Sequence, residues 1–451
     1  MAVYLSNEML CHIFSYLEDD TASLTAAALT SRQWFDCGIQ SLWKEENGNR
    51  LVRIDPSRRD LYGRCIRKLQ LDGYLCQGGD SKTRAQASAR FRALDAKLSE
   101  RGRLNAQWVT FLNDYNWSSL REISFSKVYV DQALLEHLGN TCRGLRSLRL
   151  FHAINFQPAD FLRLLEQLPS LTAIHFCEGT RNLITSEVFA YLANRRIIQV
   201  LTMKEPLQRA IMENEAATSK SFQDLRSANL NLVIGSMDRF VTVMPGITSL
   251  SLELWWTDTK MFKTLSRLER LQTLSITIAY KLEMPPEHIL PICNIKSLKK
   301  LCVQGKSENL RAFKFRDSDF DSLVSQLNDL EELSFLVACD MSFASLKSLS
   351  RHCRFLRHLR LLPSNWDFDA LFSNASEEPL FPHLESVNTV PEWNTMPFVD
   401  DVSRSIIARE KAMLFRFHMP NLNTMTATVH GEFEKEVLEI WTELKRNAVN
   451  P

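Results

Sequence analysis

Apolar positions along this chain keep one phase. Leu120-x-x-Ile123-x-Phe125, Leu145-x-x-Leu148-x-Leu150 and Leu171-x-x-Ile174-x-Phe176 open a series. It continues from Ile198, Leu225, Ile247, Leu271, Leu298, Leu330, Leu356, Leu384 and Leu422, twelve starts spaced 22 to 38 residues apart. Apolar residues at the fourth and sixth positions, with polar ones between, predict a short strand. One such match carries nothing, since a buried helix makes it by chance. Twelve in phase make an internal repeat. Ile66-x-x-Leu69-x-Leu71 reads as an earlier strand, set apart by an insertion. Between strands the spacing turns helical. Leu134, Leu135 and Leu138 follow Asp131, Phe161, Leu164 and Leu165 follow Pro158, and Val188, Phe189 and Leu192 follow Thr185. Met261, Phe262 and Leu265 follow Thr257 and Asp258, Leu323 and Val324 follow Asp319, and Leu346 and Leu349 follow Ser342. Each repeat is therefore strand, turn, helix. Neither element buries the shared face alone, so neighbours stack. The predicted class is α/β, with parallel strands on a concave face and helices on a convex one.

The first forty-odd residues follow a different pattern. Met9, Leu10, Ile13, Phe14 and Leu17 fall on one helical face, and Ser6 stands at the N-cap. Asp20 or Thr21 can cap a second helix through Leu24 and Leu29. Trp34, Gly38 and Leu42 form one row of a third helix, and Phe35, Ile39 and Trp43 form the next. So small a unit rarely buries enough surface to stand alone. It must pack on the rest of the chain, on another protein, or on both.

The order of those residues carries a resemblance. Leu5-x-x-Glu8-x-x-x-x-Ile13-Phe14-x-x-Leu17, then Arg32-x-Trp34, then Leu42-Trp43, resembles an F-box. The match covers about Leu5–Lys44, roughly a tenth of the chain. It departs at Ser6, where the family usually has Pro, which loosens preorganisation of the helix start and leaves the apolar face in place. The resemblance implies docking on the Skp adaptor, and through it on a cullin, through Leu5, Leu10, Ile13, Phe14, Leu17, Leu24, Trp34, Leu42 and Trp43. Some of these will be internal core, and the sequence does not separate the two roles. The repeats resemble leucine-rich repeats. Cys142-x-x-Leu145 and Cys353-x-x-Leu356 resemble the cysteine-containing subtype, common in F-box proteins, and the repeat resembles divergent F-box proteins of fungal type.

The expected organisation is an F-box at 1–48 and a connecting region with a first strand and a loop insertion at 49–118. A solenoid of about twelve repeats follows at 119–430, and a capping helix at 431–451. Within these, 77–89 reads as a polar loop, Phe91–Leu112 as helical, and Glu205–Gln223 as a charged, helix-like lengthening of one repeat. Gly305–Asp317 reads as a basic loop, Pro391–Pro397 as a loop and Asp400–Phe417 as a helix. The last helix carries Phe433, Val437, Ile440, Trp441 and Leu444 on one face.

Composition adds limits. A net charge of +1 gives no global pull toward nucleic acid or an acidic membrane. The N-terminus lacks a basic and then apolar leader, and no long charge-free apolar window offers a membrane span. No two of the ten cysteines form Cys-x-x-Cys, so neither a zinc site nor a disulfide framework is expected, and a reducing cytoplasmic or nuclear location is. No cofactor is expected, and no Walker, Rossmann, zincin or nucleophile-elbow motif occurs, which points away from an enzyme.

Strand alternation places positions three, five and seven of each motif outward. Arg149, Phe151, His175 and Lys204 then cluster on consecutive repeats as candidates for binding a protein target, with Trp255 and Trp256 just past a later strand. Lys300, Cys302, His358 and Arg360 face outward as well. The function these features imply is target recognition in a Skp–cullin–F-box ubiquitin ligase. The alternative is a scaffold or sequestering repeat protein whose N-terminal helices only cap the array.

Overall fold

The computed structural model describes residues 5–52, 54–72, 112, 115–128, 130, 132–152, 156–212, 221–233, 235–255, 259–279, 283–306, 310–362, 366–373, 378–388, 391–392, 401–426 and 432–449. The expected polar loop at 77–89, the helical stretch before Leu112, Asp131, Trp256, Thr257 and Asp258 lie outside them. The chain forms two compact units, 1–205 with 214–217, and 206–213 with 218–451.

The first unit opens with α1 (Asn7–Ser15), α2 (Thr21–Ala28) and α3 (Arg32–Leu42). Each starts on a side chain that satisfies a free backbone donor. Ser6, Asp20 and Ser31 accept from the amides of Met9, Ser23 and Trp34. Ser6 thus supplies by capping what a proline would supply by stiffness. A strand at Glu45–Asn47 comes next and pairs in parallel with Lys68–Asp72. The polar Glu-Glu-Asn gave no sequence signal for it. Parallel strands continue at Glu122–Ser126, Ser147–Phe151, Ala173–Phe176 and the start of Val200–Leu207. Helices Gln132–Thr141, Pro158–Gln167 and Ser186–Asn194 separate them. Thr185 caps the last of these, as its position predicts.

The second unit repeats the scheme. Strands Ser227–Leu232, Ser249–Leu254, Thr273–Ile278, Lys300–Gly305, Glu332–Leu336, His358–Leu361, Ser386–Asn388 and Thr424–Thr426 pair in parallel, each with the next. All twelve motifs therefore become strands, and Ile66-x-x-Leu69-x-Leu71 becomes a further one. Leu271, Leu274 and Ile276 are fully buried, and Leu298, Leu301 and Val303 and then Leu330, Leu333 and Phe335 repeat that burial in register. This stacked ladder is the core, and it is continuous because parallel strands align equivalent positions.

Two buried thiols sit in the repeats. Burial pushes Cys142 up to about 11 and Cys353 up to about 12. Cys353 Sγ lies 3.5 Å from the Leu327 carbonyl, just past helix Asp317–Val324.

The basic insert at 305–317 departs from expectation. Arg311–Arg316 is a strand rather than a loop, paired with Ala338–Asp340 in a separate two-stranded sheet. Buried Ala312 and Phe315 hold it down, with the Phe315 ring 5.6 Å from that of Phe335, while its cations face water. Of Glu205–Gln223, only Arg209–Met212 is helical among the described residues, and the preceding strand runs on to Leu207. Pro391–Glu392 forms a short strand with Trp366–Asp367 where a loop is expected. Asp401–His418 and Glu432–Val449 are the two expected C-terminal helices and pack together, with Arg404 bonded to Glu436.

Candidate adaptor-docking and target-binding surfaces

The helix trio divides the apolar residues of α1 between two sides. Leu10 and Phe14 turn inward, fully buried, and form a core with Leu24 of α2 and Cys37 of α3. Leu5, Leu17, Trp34 and Leu42 pack around that core half-buried, Phe14 meeting Trp34 edge-on at 5.5 Å. Gly38 permits the close approach of α2 and α3, since a Cβ there would lie 2.9 Å from Ala28 Cβ. Leu10, Phe14 and Leu24 are therefore core and offer no surface to a partner, contrary to the role expected of them. The single apolar face expected for α1 is in fact two rows.

The outer row is Met9, Ile13 and Tyr16, at spacings of four and three, exposed by 55%, 38% and 76%. Leu29, after α2, is 77% exposed. Met9 and Ile13 on the nine-residue helix and Tyr16 at its C-cap put apolar surface into water side by side and form a patch. Neither Met9 nor Tyr16 is among the docking residues that the sequence resemblance implies. Trp43 faces elsewhere, its ring stacked on Tyr62 at 4.4 Å. It joins the trio to helix Arg59–Gly63.

On the sheet of the first unit, Arg149 pairs in register with His175, and His175 with Thr202. The His175 ring bonds the Thr202 hydroxyl at 2.9 Å. Burial, reinforced by the Arg149 guanidinium, pushes His175 down to about 4. Phe151 lies half-buried against His152 at the strand end, and Lys204 is exposed. Proximity to both cations acts on the Cys177 thiol, although burial outweighs them and raises it. The four predicted residues are thus neighbours on adjacent strands. Trp255 belongs to the other unit, where its indole nitrogen donates to Asn231 at 3.1 Å, leaving the ring 39% exposed.

The second unit holds a groove that the sequence pattern does not group. A cavity of about 460 Å³ opens on the outward face of its sheet. Its floor includes Ser275, Cys302 and Ser334, which stand side by side in register. Arg360 and then Asn388 continue the same row. The parallel row reads Thr273, Lys300, Glu332, His358 and Ser386. Lys300 and Glu332 form an ion pair, and His358 bonds the Ser386 hydroxyl at 2.7 Å. The signal available in sequence was the run of small residues at one motif position, which acquires meaning only once the register is known.

Among the described residues, no group of three or more His, Cys, Asp or Glu is placed to hold a metal ion, and no helix is long and apolar enough to cross a membrane.

Comparison with known proteins bears on the trio first. The F-box-like family model matches residues 7–45. No curated protein matches the sequence. Among solved structures the chain is similar to an internalin from Listeria monocytogenes, at 12% identity, over 64% of this chain and 70% of that one, with a TM-score of 0.35. The leucine-rich-repeat assignment accordingly stands on the strands and helices described above.

Proposed function

We propose that this chain is the target-recognition subunit of a Skp–cullin–F-box ubiquitin ligase. An F-box-like segment followed by leucine-rich repeats is an arrangement typical of non-catalytic adaptors. In this reading the trio docks on the Skp adaptor and the outward sheet faces hold a protein target. Arg149, Phe151, His175 and Lys204 serve as contacts in the first unit and Trp255 in the second. Catalysis belongs to the partner enzyme. The adaptor raises the effective concentration of target lysines near it. Such work needs no cofactor and suits the cytoplasm or nucleus. Cys142 and Cys353 fit the cysteine-containing repeat subtype, since each buries its thiol just before a strand motif.

The observation that carries this reading is the exposed Met9, Ile13, Tyr16 row, apolar surface that a partner would cover. The test is co-expression with the Skp adaptor and size-exclusion chromatography of the complex. Ile13→Asp with Tyr16→Asp alters only solvent-facing positions. It should weaken adaptor binding by about thirtyfold or more while the trio stays folded. Unchanged binding in that variant would overturn the proposal.

One observation favours the scaffold alternative. The trio is fixed to helix Arg59–Gly63 through the Trp43–Tyr62 stack, and to the first strands because the Lys44 carbonyl accepts from the amides of both Arg67 and Lys68 at 2.9 Å. A pure cap would show these contacts and would ignore the adaptor.

A further inference from the structure

The groove of the second unit has a charge inventory that restricts its occupant. Its charged side chains are few. Lys300 and Glu332 cancel by pairing with each other. No carboxylate pairs with Arg360 among the described residues, and the side chain is exposed. Among the described residues the groove therefore presents one guanidinium with no carboxylate partner. Ser334 and Asn388 flank it in register, Ser275 and Thr273 lie farther along the groove, and Ser386 is bonded to His358; the hydroxyls and the Asn388 amide can both donate and accept. Groups of that kind match the alternating N–H and C=O of an extended backbone. The floor of Ser275, Cys302 and Ser334 carries short side chains that let a backbone come close.

We infer that this groove binds an extended segment of the target protein that carries one Asp or Glu, whose carboxylate pairs with Arg360 while the flanking small residues cross Ser334, Cys302 and Ser275. The inference rests on reading the repeats as a target-binding surface. Adjacent strands are about 4.8 Å apart, so Ser275 and Arg360, three strands apart, are separated by roughly 14 Å. An extended chain covers that in about four residues. A guanidinium and a carboxylate form two parallel hydrogen bonds in one plane. A phosphate carries up to two charges, and a single free cation leaves one of them unmatched.

The test selects a displayed library of random eight-residue peptides against the full chain purified with its adaptor. Enriched peptides should share one acidic residue at a fixed position. Replacing that residue by Asn or Gln, or Arg360 by Gln, should weaken binding by about tenfold or more. Arg360→Lys should restore part of the affinity, because it keeps the charge and loses the fork. Ser334→Trp should block binding by filling the floor. Three results would overturn the inference: no enriched peptide, peptides indifferent to Arg360→Gln, and tighter binding when phosphoserine replaces the acid. Adaptor binding is measured on the same preparations. A chain that selects acidic peptides and ignores the adaptor keeps the groove and removes the ligase reading, and the reverse result removes the groove alone.

Discussion

The helix trio and the repeats dispose of apolar side chains in opposite ways. The repeats turn almost every leucine of the strand motif inward, to an exposure of a few per cent or less, and the outward positions between those leucines are mostly hydroxyls, amides and charges. The trio buries a small core around Leu10, Phe14, Leu24 and Cys37 and leaves Met9, Ile13, Tyr16 and Leu29 in water. A repeat gains stability from its two neighbours, so its surface is free to be polar. A unit as small as the trio rarely supplies its stability from within, and it leaves part of its apolar surface uncovered. The difference teaches where apolar side chains reach water: along one row of the trio, and elsewhere at positions outside the strand motif such as Phe313 and Phe355.

The sharpest way to break this contrast is Phe14→Ala. The substitution costs about 3–5 kcal/mol in a buried site, as much as so small a core supplies. Amide exchange across α1 to α3 should lose its protection and adaptor binding should vanish with it, whereas Ile13→Asp with Tyr16→Asp should weaken binding with exchange intact. Retained protection would show that the trio is stabilised mainly by the repeats beside it. Next in size is Leu274→Ala, fully buried in the second unit. A loss of about 2–5 kcal/mol should lower the urea midpoint of the repeats and leave exchange in the trio unchanged, because neighbours limit the damage.

The smallest effect concerns His175. Its folded-state pKa of about 4 lies below its ordinary 6.5, because burial and then Arg149 oppose the proton. As pH falls from 6.5 to about 4, an unfolded chain takes up a proton that the folded one refuses. Stability should therefore decline over that window and level off below it. His175→Gln should flatten this decline in urea titrations at about pH 7 and about pH 4.5. An unaltered slope would mean that the imidazole is solvated and that the outward row is wetter than the repeat core implies.

How much of this was legible depends on what each feature rests on. The repeat strands were readable because leucine burial recurs at fixed offsets. Ser6, Thr185 and Ser342 were readable as caps because a short oxygen side chain before a helix has one obvious acceptor role. The split of α1 was not readable. Residues 9, 13 and 16 lie beside 10, 14 and 17 on the helix surface, both rows are apolar, and only the positions of α2 and α3 decide which is inside. Glu45–Asn47 pairs through its backbone and a Glu45–Lys68 ion pair, and neither gives the apolar alternation by which a strand is read. Arg311–Arg316 lacks strict alternation, its burial falling at Ala312 and Phe315. The groove depends on register between strands whose motifs start 26 to 32 residues apart, and insert lengths conceal which residues become neighbours.

Glu45–Asn47 has a mechanical meaning. Only Trp43 and Lys44 separate α3 from a strand that is zipped to the next by a parallel ladder, and that ladder begins at the Lys44 carbonyl. An adaptor seated on α1 would then grip a handle rather than a tether. Its angle would be carried straight into the first strands, with no free linker to average it away. For a ligase that is the difference between bringing a target near and aiming it. Lengthening the chain between Leu42 and Glu45 by a few flexible residues would keep both partners bound and lose the aim.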